Sequence, residues 1–180
     1  MITISKPLPE DAEGMNDVIK HSWYATYTTP EIGITKEDID AIYTESEEQQ
    51  IDVFRKRAEK ESATDVTLVG KEGAAVVGII RVVDLGDHVR VRTFYVDPKH
   101  AGRGIGTSLW NEVLQYLPKD KPVVAWPTQH TRSVDFYKKI GFVATGEKEQ
   151  SEPMPKSGSR MTIQKMVFDR SNNITNAPSH

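Results

Sequence analysis

Hydrophobic residues follow helical spacing in the first part of the chain and alternate with polar residues further on. Alternation over residues 2–4 predicts a short first strand. Met15 and Val18 then fall on one face of a predicted helix. Thr35 is a typical capping residue at the start of a second helix, and a separate acidic helix is expected over about 47–60.

Strand-like alternation takes over in the middle of the chain. Two strands over 66–69 and 75–83 are expected to form a hairpin whose turn covers 70–73. Val89–Val96 alternates as well and is stopped by Asp97 and a proline, so it predicts a third strand. The remaining predicted elements are a helix over about 104–117, a short buried strand over 123–126, a helix over about 131–140 and a final strand pair at 142–144 and 161–168.

This order of elements predicts one mixed α/β layered domain. The chain has 180 residues, of which 1–169 are expected to form the domain and the polar residues 170–180 a disordered tail. Cysteine is absent, which excludes a disulfide framework and favours a cytoplasmic location. The longest apolar run, at 74–80, is far shorter than the ~20 residues of a membrane helix, so no membrane partner is expected.

Charge is divided unevenly along the chain. Residues 1–62 carry 14 acidic and 7 basic side chains, whereas 63–180 carry 12 acidic and 16 basic ones. No concentrated basic face is present, which argues against a nucleic-acid partner. The division suggests a cation beside the first half and an anion beside the second, although solvated helix faces account for it equally well. The acids nearest the predicted turn at 30–33 are Glu31, Glu37, Asp38 and Asp40.

A glycine-rich segment joins the third predicted strand to the next helix. It covers 97–107 and reads DPKHAGRGIGT. Backbone N–H groups at such a junction point into one concavity, and the helix start adds partial positive charge, so the segment can hold a phosphate. Arg103 can add a full charge to the same anion. The spacing matches neither a Walker loop nor a G-x-G-x-x-G loop, and a turn that serves packing alone is the alternative.

A second motif, FYKKIGF, closes the later helix at 136–142. Together the two segments resemble the GNAT superfamily of acetyl-CoA-dependent N-acetyltransferases. That family's phosphate loop reads Gln/Arg-x-x-Gly-x-Gly/Ala, and its later helix commonly ends in a phrase like Phe-Tyr-x-Lys-x-Gly-Phe. The aromatic run WYATY at 23–27 is similar to the PaiA-like branch, which is associated with polyamine acetylation. These aromatic residues either pack in the core or form one wall of an acceptor pocket.

The resemblance implies the GNAT acyl-CoA N-acyltransferase fold, with a central, mostly antiparallel twisted sheet of about six to seven strands and helices on both faces. It implies acetyl-CoA as co-substrate, no metal, and direct attack in a ternary complex by the primary amine of a small cationic acceptor. It is also compatible with a homodimer. Tyr137 matches the general acid that protonates the leaving thiolate. The residues that match the cofactor site are Tyr95, Val96, Gly102, Arg103, Gly104, Ile105, Gly106, Thr107 and His130.

The chain departs from the family pattern in the phosphate loop. Ala101 stands where the family prefers Gln or Arg, and Arg103 or His100 are the candidate substitutes. Tyr95 and Val96 match the end of the strand that usually carries a β-bulge. Such a bulge is expected to splay this strand from the next one and open a slot for pantetheine.

The expected general base is missing as well. Many relatives place Glu on the strand before the loop, where this chain has Arg90 and Arg92, so Asp84 and water chains are the candidates left. Three other functions therefore stay open beside the acetylation of a small amine. They are acetylation of protein N-termini, acetylation of an antibiotic, and a non-catalytic acyl-CoA-binding regulatory module.

Overall fold

The computed structural model describes residues 1–169, and the predicted tail at 170–180 lies outside this range. The described helices are α1 (Ala12–Tyr27), α2 (Lys36–Ala58), α3 (Ile105–Val113) and α4 (Arg132–Lys139), and short 3-10 turns precede α1 and α3 and follow α3. The strands are β1 (Ile2–Ser5), β2 (Asp65–Glu72), β3 (Ala75–Asp84), β4 (Val89–Val96), β5 (Val123–Ala125), β6 (Val143–Gln150) and β7 (Thr162–Phe168). Over residues 1–169, every helix is too short or too polar to cross a bilayer.

The seven strands form one sheet in the order β1-β2-β3-β4-β5-β7-β6. β4 and β5 run parallel, and each other neighbouring pair is antiparallel, as the mostly antiparallel prediction requires. β4 and β5 pair at two positions, Val89 opposite Val123 and Arg90 opposite Val124. Beyond Arg90 the two strands separate, so one edge of β4 is left without a strand partner.

Helices cover both faces of this sheet. On one face α3 buries Ile105 and Leu109 in the larger core, together with the end of α4 and the strands. On the other face α1 and α2 contribute Met15, Val18 and Phe54 to a second cluster. Burial of apolar surface on both faces is the main stabilising contribution in such a layered fold.

Gly78 on β3 lets α3 lie close to the sheet. A Cβ atom at this position would be 3.0 Å from Ile105 Cγ2 and equally close to Leu109 Cδ1, which is too tight for a side chain. Ile105 is the first residue of α3, so this contact fixes the helix start beside the end of β4. The glycine thus places the segment between β4 and α3 relative to the cavity described below.

Three local predictions differ from the structure. The two helices expected between Thr35 and about residue 60 are one helix, α2, because no glycine or proline interrupts Lys36–Ala58. Thr35 does cap this helix: its hydroxyl accepts a hydrogen bond from the Asp38 amide at 3.2 Å. The hairpin turn is shorter than expected and covers 73–74. The bulge in β4 lies at Arg92, since Arg81 and Val82 of β3 face Thr93 and Val91.

Candidate active site

The gap between β4 and β5 opens into a cavity of about 740 Å³. Its walls come from α1 and the segment after it, the middle of β4, the segment that joins β5 to α4, and Tyr137 on α4. The volume lies within the usual range of small-molecule sites, roughly 300–1,000 Å³. The cavity therefore has room for one extended arm of a ligand and a small second molecule.

β4 presents an open edge to this cavity. Residues 91–96 have no partner in β5, so their backbone groups on that side can pair with a ligand, as in the addition of a strand. Tyr95 and Val96, which the sequence assigned to the cofactor site, both line the cavity. Their surroundings are ordered by α1: Ser22 Oγ donates to the Val96 carbonyl at 3.1 Å, and Trp23 Nε1 donates to the Tyr95 hydroxyl at 3.2 Å.

The bulge that was expected at Tyr95 and Val96 lies earlier in the strand, at Arg92. The splay from β5 consequently begins just after Arg90 and exposes a longer stretch of β4 than the sequence indicated. Sequence reasoning missed this position because a bulge is set by the register against β3, which a single strand's pattern does not reveal.

The segment between β4 and α3 offers six backbone amides in a row. Within residues 1–169, the N–H groups of 102–107 have no hydrogen-bond acceptor, and the first amide paired at the start of α3 is that of Ser108, which donates to the Gly104 carbonyl at 2.9 Å. No side chain caps the helix. Gly102 and Gly104 have φ angles of 79° and 80°, a left-handed conformation that favours glycine. Unpaired amides at a helix start are a suitable cradle for a phosphate group.

The side chains of this loop point elsewhere. Arg103 forms a two-pronged ion pair with Glu72, at 3.1 and 2.6 Å, and holds the pKa of that carboxyl at about 2. His100 also faces Glu72, with 3.3 Å between Nε2 and the carboxylate. Glu72 thus engages both candidate substitutes for the side chain that is missing at Ala101, and their contact with a phosphate stays a prediction.

Three further loop residues contribute their backbone rather than their side chains. Ile105 is buried in the core. A Cβ atom at Gly106 would be 3.1 Å from the ring of Phe136, so this glycine serves the packing of α3 against α4. Thr107 borders a separate depression beside Gly141. The motif placed these residues together at the phosphate loop. In the structure only their backbone amides belong to the loop, and their side chains serve packing or border another depression.

Tyr137 lies in the wall of the cavity beside the middle of β4. Its side chain is 7% exposed, and its ring contacts Phe142 and Phe94, with centroids 5.0 and 6.1 Å away. The pKa of Tyr137 is raised above its ordinary value. Burial is the larger cause, and the nearby Tyr27 hydroxyl is the smaller one. Within residues 1–169 its hydroxyl has no hydrogen-bond partner, so a proton is held at this atom and is available to a ligand.

The aromatic residues of α1 are shared between core and cavity. Tyr27 lines the cavity, and Trp23 meets it edge-on with ring centroids 5.1 Å apart. Tyr24 instead donates a hydrogen bond to Asp40 and packs in a third cluster. His130, which also lines the cavity, is exposed and has a φ angle of 60°.

Charged residues in the cavity are mainly basic. Arg90, Arg92 and Arg132 line it, whereas among the described residues Glu31 is its one carboxylate. Asp84, the candidate base, lies outside it and pairs with Lys121 at 2.7 Å, which lowers the pKa of Asp84. In the described part of the chain no group of three or more acidic or histidine side chains could hold a metal ion.

Two of the acidic residues after the turn at 30–33, Asp38 and Asp40, have structural partners. Asp38 is fully buried and accepts hydrogen bonds from the Thr35, Lys156 and Ser157 amides at 2.8–2.9 Å. Burial opposes ionisation, but the hydrogen bonds from Ser157, Thr35 and Lys156 prevail and hold the pKa of Asp38 well below its usual range. Asp38 thus ties α2 to the β6–β7 loop and is not available to bind a cationic ligand.

We expect Asp38→Ala to lower the free energy of unfolding by about 1–3 kcal/mol, because it removes the carboxylate that accepts hydrogen bonds from the Thr35 amide in the helix cap and from the Lys156 and Ser157 amides. Since the native pKa is depressed, this stabilisation is fully present above the unfolded-state value of about 4 and is lost as the pH falls below it. Urea unfolding at pH 7 measures the effect, with the exposed neighbour Glu37→Ala as control. Equal stability of the two variants would contradict this role.

Comparison with known proteins gives a consistent assignment. Residues 33–158 match the model of the acetyltransferase (GNAT) domain. Among curated proteins, an uncharacterised N-acetyltransferase of Methanocaldococcus jannaschii is 36% identical over 55 residues, which cover 29% of this chain and 24% of that protein. The chain therefore spans about a quarter of the length of this relative.

Solved structures share the fold over nearly the whole chain. The PaiA N-acetyltransferase of Thermoplasma acidophilum, in complex with coenzyme A, superposes with a TM-score of 0.70 at 19% identity and covers 94% of this chain and 99% of its own. A putative acetyltransferase of Salmonella typhimurium with acetyl-CoA gives 0.61 at 19% identity, with 99% and 98% covered. At this level of identity the similarity establishes a common fold and leaves the substrate open.

Proposed function

The chain belongs to the GNAT family of acetyltransferases, and on that premise we propose that it transfers the acetyl group of acetyl-CoA to a primary amine. One observation carries the proposal: the open edge of β4 leads from the six unpaired amides at 102–107 to the free hydroxyl of Tyr137. The phosphate cradle begins just after Ala101, which lines the cavity. The cradle, the strand edge and the proton donor thus follow one another in the order that an extended thioester requires.

The residues present fit acetyl-CoA. The amides of 102–107 would bind its pyrophosphate, with the positive end of α3 behind them. Backbone groups of β4 that face the open edge, as at Val96, would pair with the amides of the pantetheine arm, since the register against β3 engages the Tyr95 backbone. The Tyr95 side chain and His130 would line the arm. When bound, acetyl-CoA supplies an activated acyl group as a thioester.

Tyr137 provides the proton that the leaving group needs. With acetyl-CoA bound, the amine nitrogen would form a bond to the acetyl carbon and lose a proton to water, and the carbon–sulfur bond would break. The Tyr137 hydroxyl would protonate the sulfur and regain its proton from solvent. Because its pKa is raised by burial, Tyr137 stays protonated at neutral pH. The amine must attack without its extra proton, and Arg90 and Arg92 favour that state, since nearby positive charge lowers the pKa of an ammonium group.

The class of acceptor needs revision. The sequence suggested a small cationic amine because residues 1–62 are acidic. Asp38 is buried in a helix cap and Asp40 is paired with Lys36, while three arginines and one carboxylate line the cavity. This distribution of charge supports a primary amine that is not polycationic. Cytoplasmic location, a homodimer and a single domain over 1–169 stay predictions from the sequence.

A non-catalytic acyl-CoA-binding module is the second candidate. It is favoured by the arginines at positions 90 and 92, where many family members carry a glutamate base, and by Ala101 in the phosphate loop. Such a module would bind acetyl-CoA with the same residues and release no thiol.

The two candidates differ in the fate of the thioester. The full chain is incubated with acetyl-CoA and a panel of primary amines, and free CoA thiol and N-acetylated product are quantified together. An acetyltransferase gives equal amounts of both and no acetylated protein when the amine is omitted. Binding of acetyl-CoA with no product from any amine would instead favour the regulatory module.

A further inference from the structure

Two arginines on β4 face the cavity without an acidic partner. Within residues 1–169, Arg90 and Arg92 make no ion pair and no side-chain hydrogen bond, although both line the cavity. Other arginines of the sheet region are paired: Arg81 with Asp65 at 2.7 Å and Arg103 with Glu72 at 2.6 Å. Two adjacent unpaired guanidinium groups inside a cleft are suited to bind an anion.

Arg90 is fixed in this position by an aromatic contact. Its guanidinium carbon lies 5.8 Å from the ring centroid of Trp126, at the point where β5 leaves β4. The pKa of Arg90 is lowered, mainly by burial and to a smaller extent by the positive charge of Arg92. The carboxylate of Glu149 on β6 offsets part of this lowering. An anion between the two arginines would relieve their mutual repulsion.

The position of the arginines along β4 separates them from the phosphate cradle. The cradle at 102–107 follows the C-terminal end of the strand, and the Tyr137 ring lies against Phe94 in its middle. Arg92 lies on the far side of Phe94, about 13 Å from Val96 at ~3.3 Å per residue. If the pyrophosphate of acetyl-CoA binds at the cradle and its sulfur lies beside Tyr137, the acetyl group is the part of the molecule that lies nearest the arginines.

We propose that Arg90 and Arg92 bind an acidic group of the acceptor, so that the substrate is a small amine that also carries a carboxylate, as in an α-amino acid. This inference rests on the proposed acetyl transfer and adds the substrate class. The shared cavity of about 740 Å³ restricts the acceptor to a small molecule, because the pantetheine arm fills part of it. The bulge at Arg92 interrupts the alternation of side chains along β4, and Arg92 lines the cavity.

The test compares acids with matched amides. The twenty protein α-amino acids and their α-amides are supplied with acetyl-CoA, and kcat/KM is measured by thiol release for the wild type, Arg92→Met and Arg92→Lys. Arg92 is exposed, so these variants are expected to fold. Arg55→Met, an exposed arginine on α2 away from the cavity, is the control for the change in net charge.

In the wild type we expect the best acid to exceed its amide by about 10- to 100-fold, the effect of one or two charge-assisted hydrogen bonds. The ratio should fall toward one in Arg92→Met, recover in part in Arg92→Lys and be unchanged in Arg55→Met. Amides that react as well as acids, or a ratio unaffected by Arg92→Met, would overturn the proposal while leaving acetyl transfer intact.

A binding assay keeps the two proposals distinguishable if no amine in the panel reacts. N-acetyl amino acids and N-acetyl amino acid amides are added to the CoA-loaded protein, and thermal shifts are recorded. Stabilisation by the acids alone that is lost in Arg92→Met would support the anion site although transfer has failed. Equal shifts for acids and amides would refute the anion site.

Discussion

Tyr137→Phe is expected to lower kcat by about 10²–10⁴-fold while the affinity for acetyl-CoA stays nearly constant. The substitution keeps the ring, which packs against Phe94 and Phe142, and removes the phenolic hydroxyl that donates the proton. Without this donor the sulfur must leave as a thiolate or take a proton from water. The effect should therefore appear in the chemical step and not in binding.

Steady-state thiol release gives kcat, and calorimetry with CoA gives the affinity. Tyr116→Phe, the same substitution at an exposed tyrosine outside the cavity, is the matched control. Wild-type turnover in Tyr137→Phe would reduce Tyr137 to a packing residue. A parallel loss of CoA affinity and thermal stability would point to a structural role instead.

Gly104→Val is expected to weaken CoA binding by about 100-fold or more, since it blocks several hydrogen bonds from charged phosphate oxygens to the loop amides. A Cβ atom at Gly104 meets no protein atom within 4 Å, so a valine would extend into the open space in front of these amides. The positive φ angle of 80° adds strain, which must be separated from the loss of binding.

Gly86→Val separates the two effects. Gly86 has a φ angle of 101° and equally open surroundings, but it lies in the β3–β4 turn at the other end of the strand. Both variants should lose a similar amount of thermal stability, and Gly104→Val alone should lose CoA affinity by calorimetry. Wild-type CoA affinity in Gly104→Val would place the pyrophosphate elsewhere.

Local signals in the sequence predicted the elements that surround the site. Val89–Val96 alternates and is followed by proline, and the structure ends β4 at the same residue. The glycines at 102 and 104 occur where the chain adopts a positive φ angle, a requirement that few other residues meet. Gly141, with a φ angle of 100°, ends the segment that carries Tyr137.

Contacts between residues far apart in the sequence determine the features that local patterns could not predict. Asp38 looked like a free acid because its partners Lys156 and Ser157 lie 118 and 119 residues away along the chain. The ion pair of Arg103 with Glu72 could not be predicted from the loop motif, because Glu72 is 31 residues earlier in the chain. The charge of the cavity could not be obtained by summing over residues 1–62, since the fold selects which side chains line it.

The central claim is that acetyl-CoA lies along the open edge of β4, and amide hydrogen exchange tests it most directly. The full chain is labelled with and without CoA and digested for mass spectrometry. We expect slower exchange on CoA addition in peptides that cover 91–107, because one edge of β4 is open and the amides of 102–107 lack partners in the free protein. Unchanged exchange there, or protection confined to the separate cavity of about 520 Å³ beside Lys6 and Arg57, would contradict it.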